Sequence, residues 1–293
     1  MRPRGRPPTA ALPRDSRGLL LHPGFLSDSD RAEIRAWLAT IHPLWEHRYP
    51  TGRPPPRGEV QRRLLRPVYW LGNWQFACLG YYEPPRGVHD RAVQAEPYPP
   101  VLARVVRAIE ARVRGAVPPA FVPAGWTLNT CLVNFYGDRR TAAGWEDVAR
   151  VGEHRDFEPG PVASVSLGAR ARFQFVAPGA GGAPVRTMVL EEGALQVFSG
   201  PLWKDALLHR VQRVDGRGGD VPPDVPDFRT RRVNFTFRWV PEAHVVPFAR
   251  LGAQAREDVR EYVRALAVHA PAWALFLADG DAVDRGGGLP VVR

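Results

Sequence analysis

The most restrictive stretch of the chain is Arg231-Arg232-Val-Asn-Phe-Thr-Phe-Arg-Trp239, which alternates strictly between polar and apolar residues. Successive side chains of a strand point to opposite faces, so Val233, Phe235, Phe237 and Trp239 make one side and Arg232, Asn234, Thr236 and Arg238 the other. A period of two excludes an amphipathic helix and demands a sheet whose apolar side is covered. The polar side needs either water or a cavity lined with partners. Ahead of it, from Trp126 onward, come further short strand-like segments: Thr127 to Tyr136, Val162 to Gly168, Arg172 to Val176, Thr187 to Leu190, Ala194 to Ser199 and Ala206 to Val211. Clusters of Gly, Pro and Asp separate them, and Asp215 to Thr230 reads as a loop. Many short strands punctuated in this way specify a β-sandwich or jelly roll.

Helical periodicity lies on either side of this block. Ser27 is placed to cap a helix in which Ile34, Trp37, Leu38 and Ile41 share a face. A second helix starts at Pro99-Pro100, buries Leu102, Val105, Val106, Ile109 and Val113, and is expected to stop at Gly115. Between them, the aromatic-rich run from Pro67 to Tyr82 predicts two short strands with a turn near Gly72-Asn73, either in the core or as a stacking surface. After Pro241, Val259, Tyr262, Val263 and Leu266 mark another helix, followed by one around Trp273 to Leu277. Helices first and strands afterwards give an α+β fold in layers.

Composition narrows the class. With 293 residues, 44% of them hydrophobic, the chain can bury a sizeable core. It has no apolar run of about 18 residues, and its Arg- and Pro-rich start lacks the apolar core of a signal peptide, so a cytoplasmic protein without a membrane partner is expected. Two cysteines, Cys78 and Cys131, cannot make a disulfide framework or a cysteine zinc site. The net charge of +10 points towards nucleic acid. Lys204 is the only lysine among 40 basic residues, however, and this arginine bias, with abundant Ala, Gly and Pro, is what a GC-rich coding sequence produces. The excess of basic over acidic residues is therefore better evidence than the arginines themselves.

Chemistry concentrates in Gly152-Glu153-His154-Arg155-Asp156-Phe157-Glu158. In an extended segment His154 and Asp156 face the same way and can share a cation, with His209 as the candidate third ligand. Two histidines and one carboxylate with open positions beside them suit non-haem Fe(II) and dioxygen. Asn134 and Tyr136 are likewise two apart on a strand. Arg232 and Arg238 have Cα atoms about 20 Å apart at ~3.3 Å per residue, a gap that two arginine side chains and a five-carbon dicarboxylate largely span. The chain shows no convincing nucleophile triad.

Taken together, Asn134-x-Tyr136, Gly-Glu-His154-Arg-Asp156, Pro161-Val-Ala-Ser-Val-Ser-Leu-Gly168, Arg-Phe-Gln-Phe175, His209 and Arg232-Val-Asn-Phe-Thr-Phe-Arg238 resemble, in order, the AlkB family of Fe(II)- and 2-oxoglutarate-dependent dioxygenases. Those enzymes dealkylate nucleic-acid bases. The resemblance implies a double-stranded β-helix (jelly roll), iron on His154, Asp156 and His209, and 2-oxoglutarate on Asn134, Tyr136, Arg232, Asn234 and Arg238. Arg232 with Tyr136 would take the distal carboxylate and Arg238 the one beside the metal. Dioxygen is the remaining co-reactant. A base in a duplex must be flipped out to be reached; Tyr81 or Tyr82 would stack on it against His154. The family reads the base with an acidic residue just after H-x-D, where this chain has Phe157 and then Glu158.

The organisation implied is a basic tail (1–18), an N-terminal helical and substrate-lid region (19–119), the jelly-roll core (120–240) and a C-terminal helical extension (241–293), acting as a monomer. The run from Asp138 to Gly152 is longer than the family's usual link and serves either substrate access, through Arg139, Arg140 and Arg150, or only as a surface insertion. Two other functions fit the residues less fully: hydroxylation of a protein or small molecule, and a nucleic-acid-binding module without catalysis.

Overall fold

The computed structural model describes residues 17–48, 62–74, 93–94, 96–147, 150–179, 183–212 and 220–245, with residues 260, 263–264, 267–269 and 273–274 of the C-terminal stretch. Most of its regular structure is antiparallel sheet. The larger sheet contains β1 (Leu19–His22), β4 (Val68–Trp74), β5 (Val93–Gln94), β6 (Thr130–Thr141), β7 (Gly144–Asp147), β9 (Val162–Gly168), β12 (Leu195–Phe198) and β14 (Phe228–Arg238). Its order is β1-β12-β9-β14-β6-β4-β5, with β7 added to β6. The smaller sheet orders β11 (Pro184–Leu190), β10 (Ala171–Val176), β13 (Leu208–Gln212) and β8 (Val151–His154). A separate ladder joins β2 (His47–Arg48) to β3 (Arg62–Arg63). Two such sheets facing each other are consistent with the jelly roll expected from the alternating segments.

The alternation in β14 separates two environments. Val233, Phe235 and Phe237 are fully buried in the main core. Over them lie helix α1 (Asp28–Leu38) and helix α2 (Pro100–Ala116), whose Ile34, Leu38, Val105 and Ile109 belong to the same cluster. Trp37 of α1 packs 6.3 Å from the ring of Phe235. Ser27 caps α1 in a reciprocal box with Asp30, satisfying backbone donors that the helix itself leaves open. Val263 and Trp273 of the C-terminal stretch are buried in this cluster as well.

The structure adds to or changes several local expectations. The segment after Gly72-Asn73 was expected to turn back, but β4 runs on through it to Trp74. Gly72 sits at φ +74, and a Cβ there would lie 2.1 Å from the carbonyl oxygen of Asn129. The glycine therefore serves a close backbone crossing, where Gly72 N–H donates to Glu96 and Asn73 N–H to Asn129. Helix α2 passes Gly115 and ends at Ala116, because Val113 still accepts the N–H of Val117. The N-terminal region, expected to be helical, opens with a strand: β1 pairs with β12 in register Leu19 to Phe198. Finally, much of the run from Asp138 to Gly152 is regular, since β6 extends to Thr141 and turns back as β7.

Candidate metal and cosubstrate site

The polar side of β14 faces a cavity of about 510 Å³ between the sheets, lined by Arg232, Asn234, Thr236 and Arg238 together with Asn134, Tyr136, His154, Asp156, Phe157, Glu158 and His209. Sheet register brings two candidate ligands together. His154 ends β8 and lies directly opposite His209 of β13, with ring centroids 4.1 Å apart. Asp156 follows two residues beyond the strand and turns Oδ2 to within 3.5 Å of His209 Nε2. One ligand atom from each of the three residues lies within 4.8 Å of the others.

The surroundings prepare these groups for a cation. Arg238 donates to Asp156 Oδ1 twice, from Nε at 2.9 Å and Nη2 at 2.7 Å. Oδ2 is buried and has no hydrogen-bond partner, a costly state for a carboxylate unless a cation faces it. Burial alone would raise the Asp156 carboxyl, but Arg238, the two imidazoles and Lys204 together hold it well below the usual carboxylate range. Burial lowers both histidines, His209 further than His154, and each is thereby kept in the neutral form that binds metal. His154 Nδ1 sits 2.8 Å from the carbonyl of Gly152, which fixes its tautomer and leaves Nε2 as the ligand. Phe173 stacks on His209 at 5.4 Å and holds its ring plane.

Farther along the strand, Arg232 is 4% exposed and meets only neutral acceptors: Ala169 O at 3.1 Å, Leu190 O at 3.3 Å and Ser166 Oγ at 2.6 Å. Its Nε is buried without a partner, and burial pushes its pKa down to about 10. A guanidinium in such a place calls for an anion, and a carboxylate matches its fork. The carboxamide of Asn234 is committed within the protein, with Nδ2 donating to Val165 O and Ser166 Oγ and Oδ1 accepting from Thr236. The donor set thus fits a metal at one end of β14 and a diacid towards the other.

Three cavity or near-cavity residues went unread in the sequence. Arg66, buried, donates from Nε to Asn134 Oδ1 at 2.7 Å and lies 5.8 Å from the ring of Tyr136. Trp70 lines the wall and donates to the buried Glu46 at 2.6 Å. Lys204, the lone lysine, is the third; it donates to the carbonyl of Asp156. Tyr81 and Tyr82 lie outside the described residues.

No curated protein matches the chain. Among solved structures it is similar to OsALKBH1 (TM-score 0.47, 23% identity, 76% of this chain and 98% of that chain covered). It is also similar to an oxidoreductase of the 2OG-Fe(II) oxygenase family from Burkholderia pseudomallei (TM-score 0.40, 17% identity, 76% and 86% covered). The family model described as the 2OG-Fe(II) oxygenase superfamily matches residues 18–238, most of the chain and all of the cavity strands. The chain therefore belongs to the 2OG-Fe(II) oxygenase superfamily and is a 2-oxoglutarate-dependent dioxygenase that uses Fe(II), 2-oxoglutarate and dioxygen.

Proposed function

We propose that this dioxygenase oxidatively dealkylates N-alkylated bases in DNA or RNA. In this reading His154, Asp156 and His209 hold the iron, Arg232 with Tyr136 takes the distal carboxylate of 2-oxoglutarate, Asn134 contributes to the same cosubstrate pocket, and Arg238 orients the end beside the metal. Asn234 braces the wall between the two arginines. When bound, the iron and its cosubstrate supply oxidation of an N-alkyl carbon, with succinate and carbon dioxide as co-products. A carbon that carries both a hydroxyl and a ring nitrogen then falls apart to an aldehyde and the free base.

The observation that carries the substrate class is Glu158. It is 4% exposed and lines the cavity two residues past Asp156. Its Oε1 stands 3.5 Å from Arg238 Nε, while Oε2 is buried with no hydrogen-bond partner. Alkylation of a ring nitrogen that bears no proton makes the base a cation, and its exocyclic amine offers N–H donors to an acceptor of this kind. Phe157, half-buried beside it, offers the base an apolar contact. The net charge of +10 favours a phosphate-bearing polymer over a neutral small molecule.

The test is turnover. Iron-loaded protein with 2-oxoglutarate and ascorbate is expected to release formaldehyde from oligonucleotides containing 1-methyladenine or 3-methylcytosine. No turnover on any methylated DNA or RNA, with succinate formed on a peptide or small molecule instead, would overturn the substrate class and leave the oxygenase standing.

A further inference from the structure

Forty residues of this chain are basic and one of them is lysine. That residue, Lys204, is not on the surface but is 7% exposed in the wide helical turn Pro201–Ala206 that leads into β13. Its Nζ donates 2.8 Å to the backbone carbonyl of Asp156. The reason for a donor there lies in the sheet. β8 ends at His154, and its ladder to β13 reaches its last pair at His209 and His154, so Asp156 has already left the strand. A carbonyl buried beyond the end of a ladder destabilises the fold if nothing replaces its water. Lys204 replaces it, while Arg238 grips the side chain of the same residue.

We propose that Lys204 is a positioning residue for the carboxylate ligand, anchoring the Asp156 peptide so that, with Oδ1 held by Arg238, Oδ2 stays aimed at the two imidazoles. The residue with the least secondary structure to support it is thus tied at both ends, backbone and side chain. The two ties come from different elements, β14 and the turn before β13. An ammonium meets this need better than a guanidinium because it places a compact charge on a single oxygen in a closed slot. Partners of this kind around metal ligands change metal affinity by about 10- to 100-fold when removed.

The inference rests on the metal centre assigned above and not on the choice of substrate. Its test is titration of the apo-protein with Co(II), reading the d–d absorption band and the dissociation constant for wild type, Lys204→Met and Lys204→Arg, with the apo melting temperature of each. Lys204→Met keeps the unbranched stem, one bond shorter, and removes the donor and charge; Lys204→Arg keeps both and overfills the slot. Positioning predicts affinity in the order wild type, Arg, Met, with Met about 10- to 100-fold weaker and its Co(II) band shifted. A space-filling role predicts instead Met near wild type and Arg impaired, and a Met variant that binds Co(II) like wild type overturns the proposal. Should Lys204→Met fail to fold, Lys204→Leu, likewise without donor or charge, takes its place in the same ranking. Failure of every methylated oligonucleotide as substrate, with the affinity order intact, would count against the dealkylase reading alone.

Discussion

Replacing Arg232 by methionine separates what the cavity costs the fold from what it does for the cosubstrate. The guanidinium is 4% exposed, bonded only to two carbonyls and a serine hydroxyl, and pushed by burial down to about 10 from the ordinary guanidinium range. That depression corresponds to about 3 kcal/mol of unfavourable free energy for the charged form at neutral pH. A folded-state value below the unfolded one means the cation destabilises the apo-protein at every pH where both states are protonated, neutral pH included. Arg232→Met removes this penalty and fills the space with apolar volume, so the apo melting temperature is expected to stay the same or rise. Cosubstrate binding should collapse instead, because breaking a buried ion pair costs about 3–5 kcal/mol, roughly two to four orders of magnitude in affinity. The assay is thermal unfolding with and without 2-oxoglutarate in the presence of Mn(II). At a ligand concentration about 100 times the wild-type dissociation constant, wild type gains about 2.7 kcal/mol, or roughly 5–10 °C, and the variant gains nothing. A variant that binds 2-oxoglutarate as tightly as wild type would refute the assignment of the distal carboxylate. One that melts far lower without ligand would refute the claim that the guanidinium is an energetic burden on the apo fold.

Other perturbations test the rest of the site. Glu158→Gln is expected to reduce kcat/KM on cationic 1-methyladenine by about 1.5–3 kcal/mol, roughly 10- to 150-fold, with little change on a neutral N6-methyladenine substrate; equal losses on both would remove Glu158 from base reading. His154 and His209 are held below the ordinary 6.5, His209 well below it. Because the unfolded chain takes up protons first, their contribution to apo stability is complete above pH 6.5 and is lost as the pH falls through 6.5 towards the lowered values. Metal affinity, followed by Co(II) titration against pH, should accordingly have its midpoint below 6.5; a midpoint above 6.5 contradicts the neutral imidazoles. Gly72→Ala places a Cβ 2.1 Å from Asn129 O at φ +74, so denaturant unfolding should show a loss of at least ~1–2 kcal/mol; an unchanged midpoint would mean that the crossing of β4 over Asn129 is wrongly placed.

Whatever has a local period was legible before the fold was known. The alternation of β14 gave both its faces, and the cavity side proved to be Arg232, Asn234, Thr236 and Arg238. The Ser27 cap and the apolar stripes of α1 and α2 could be read because helix ends and helix faces are set by neighbours three or four residues away. Gly72 misled because a glycine with positive φ serves a turn and a backbone crossing equally well, and only the position of Asn129 tells them apart. Arg66, Trp70 and β1 were missed for a related reason: their partners, Asn134, Glu46 and β12, are far away in the chain.

By itself, then, the sequence determined which side chains share a face and which residue types were available for metal and acid chemistry, since periodicity and ionisation belong to the local chain. Only the tertiary structure decided that His209 stands opposite His154, that Asp156 Oδ2 and Arg232 Nε are buried without partners, and that Glu158 keeps one oxygen free. These are properties of register between distant strands and of exclusion from water. Neither exists until the two sheets close on one another.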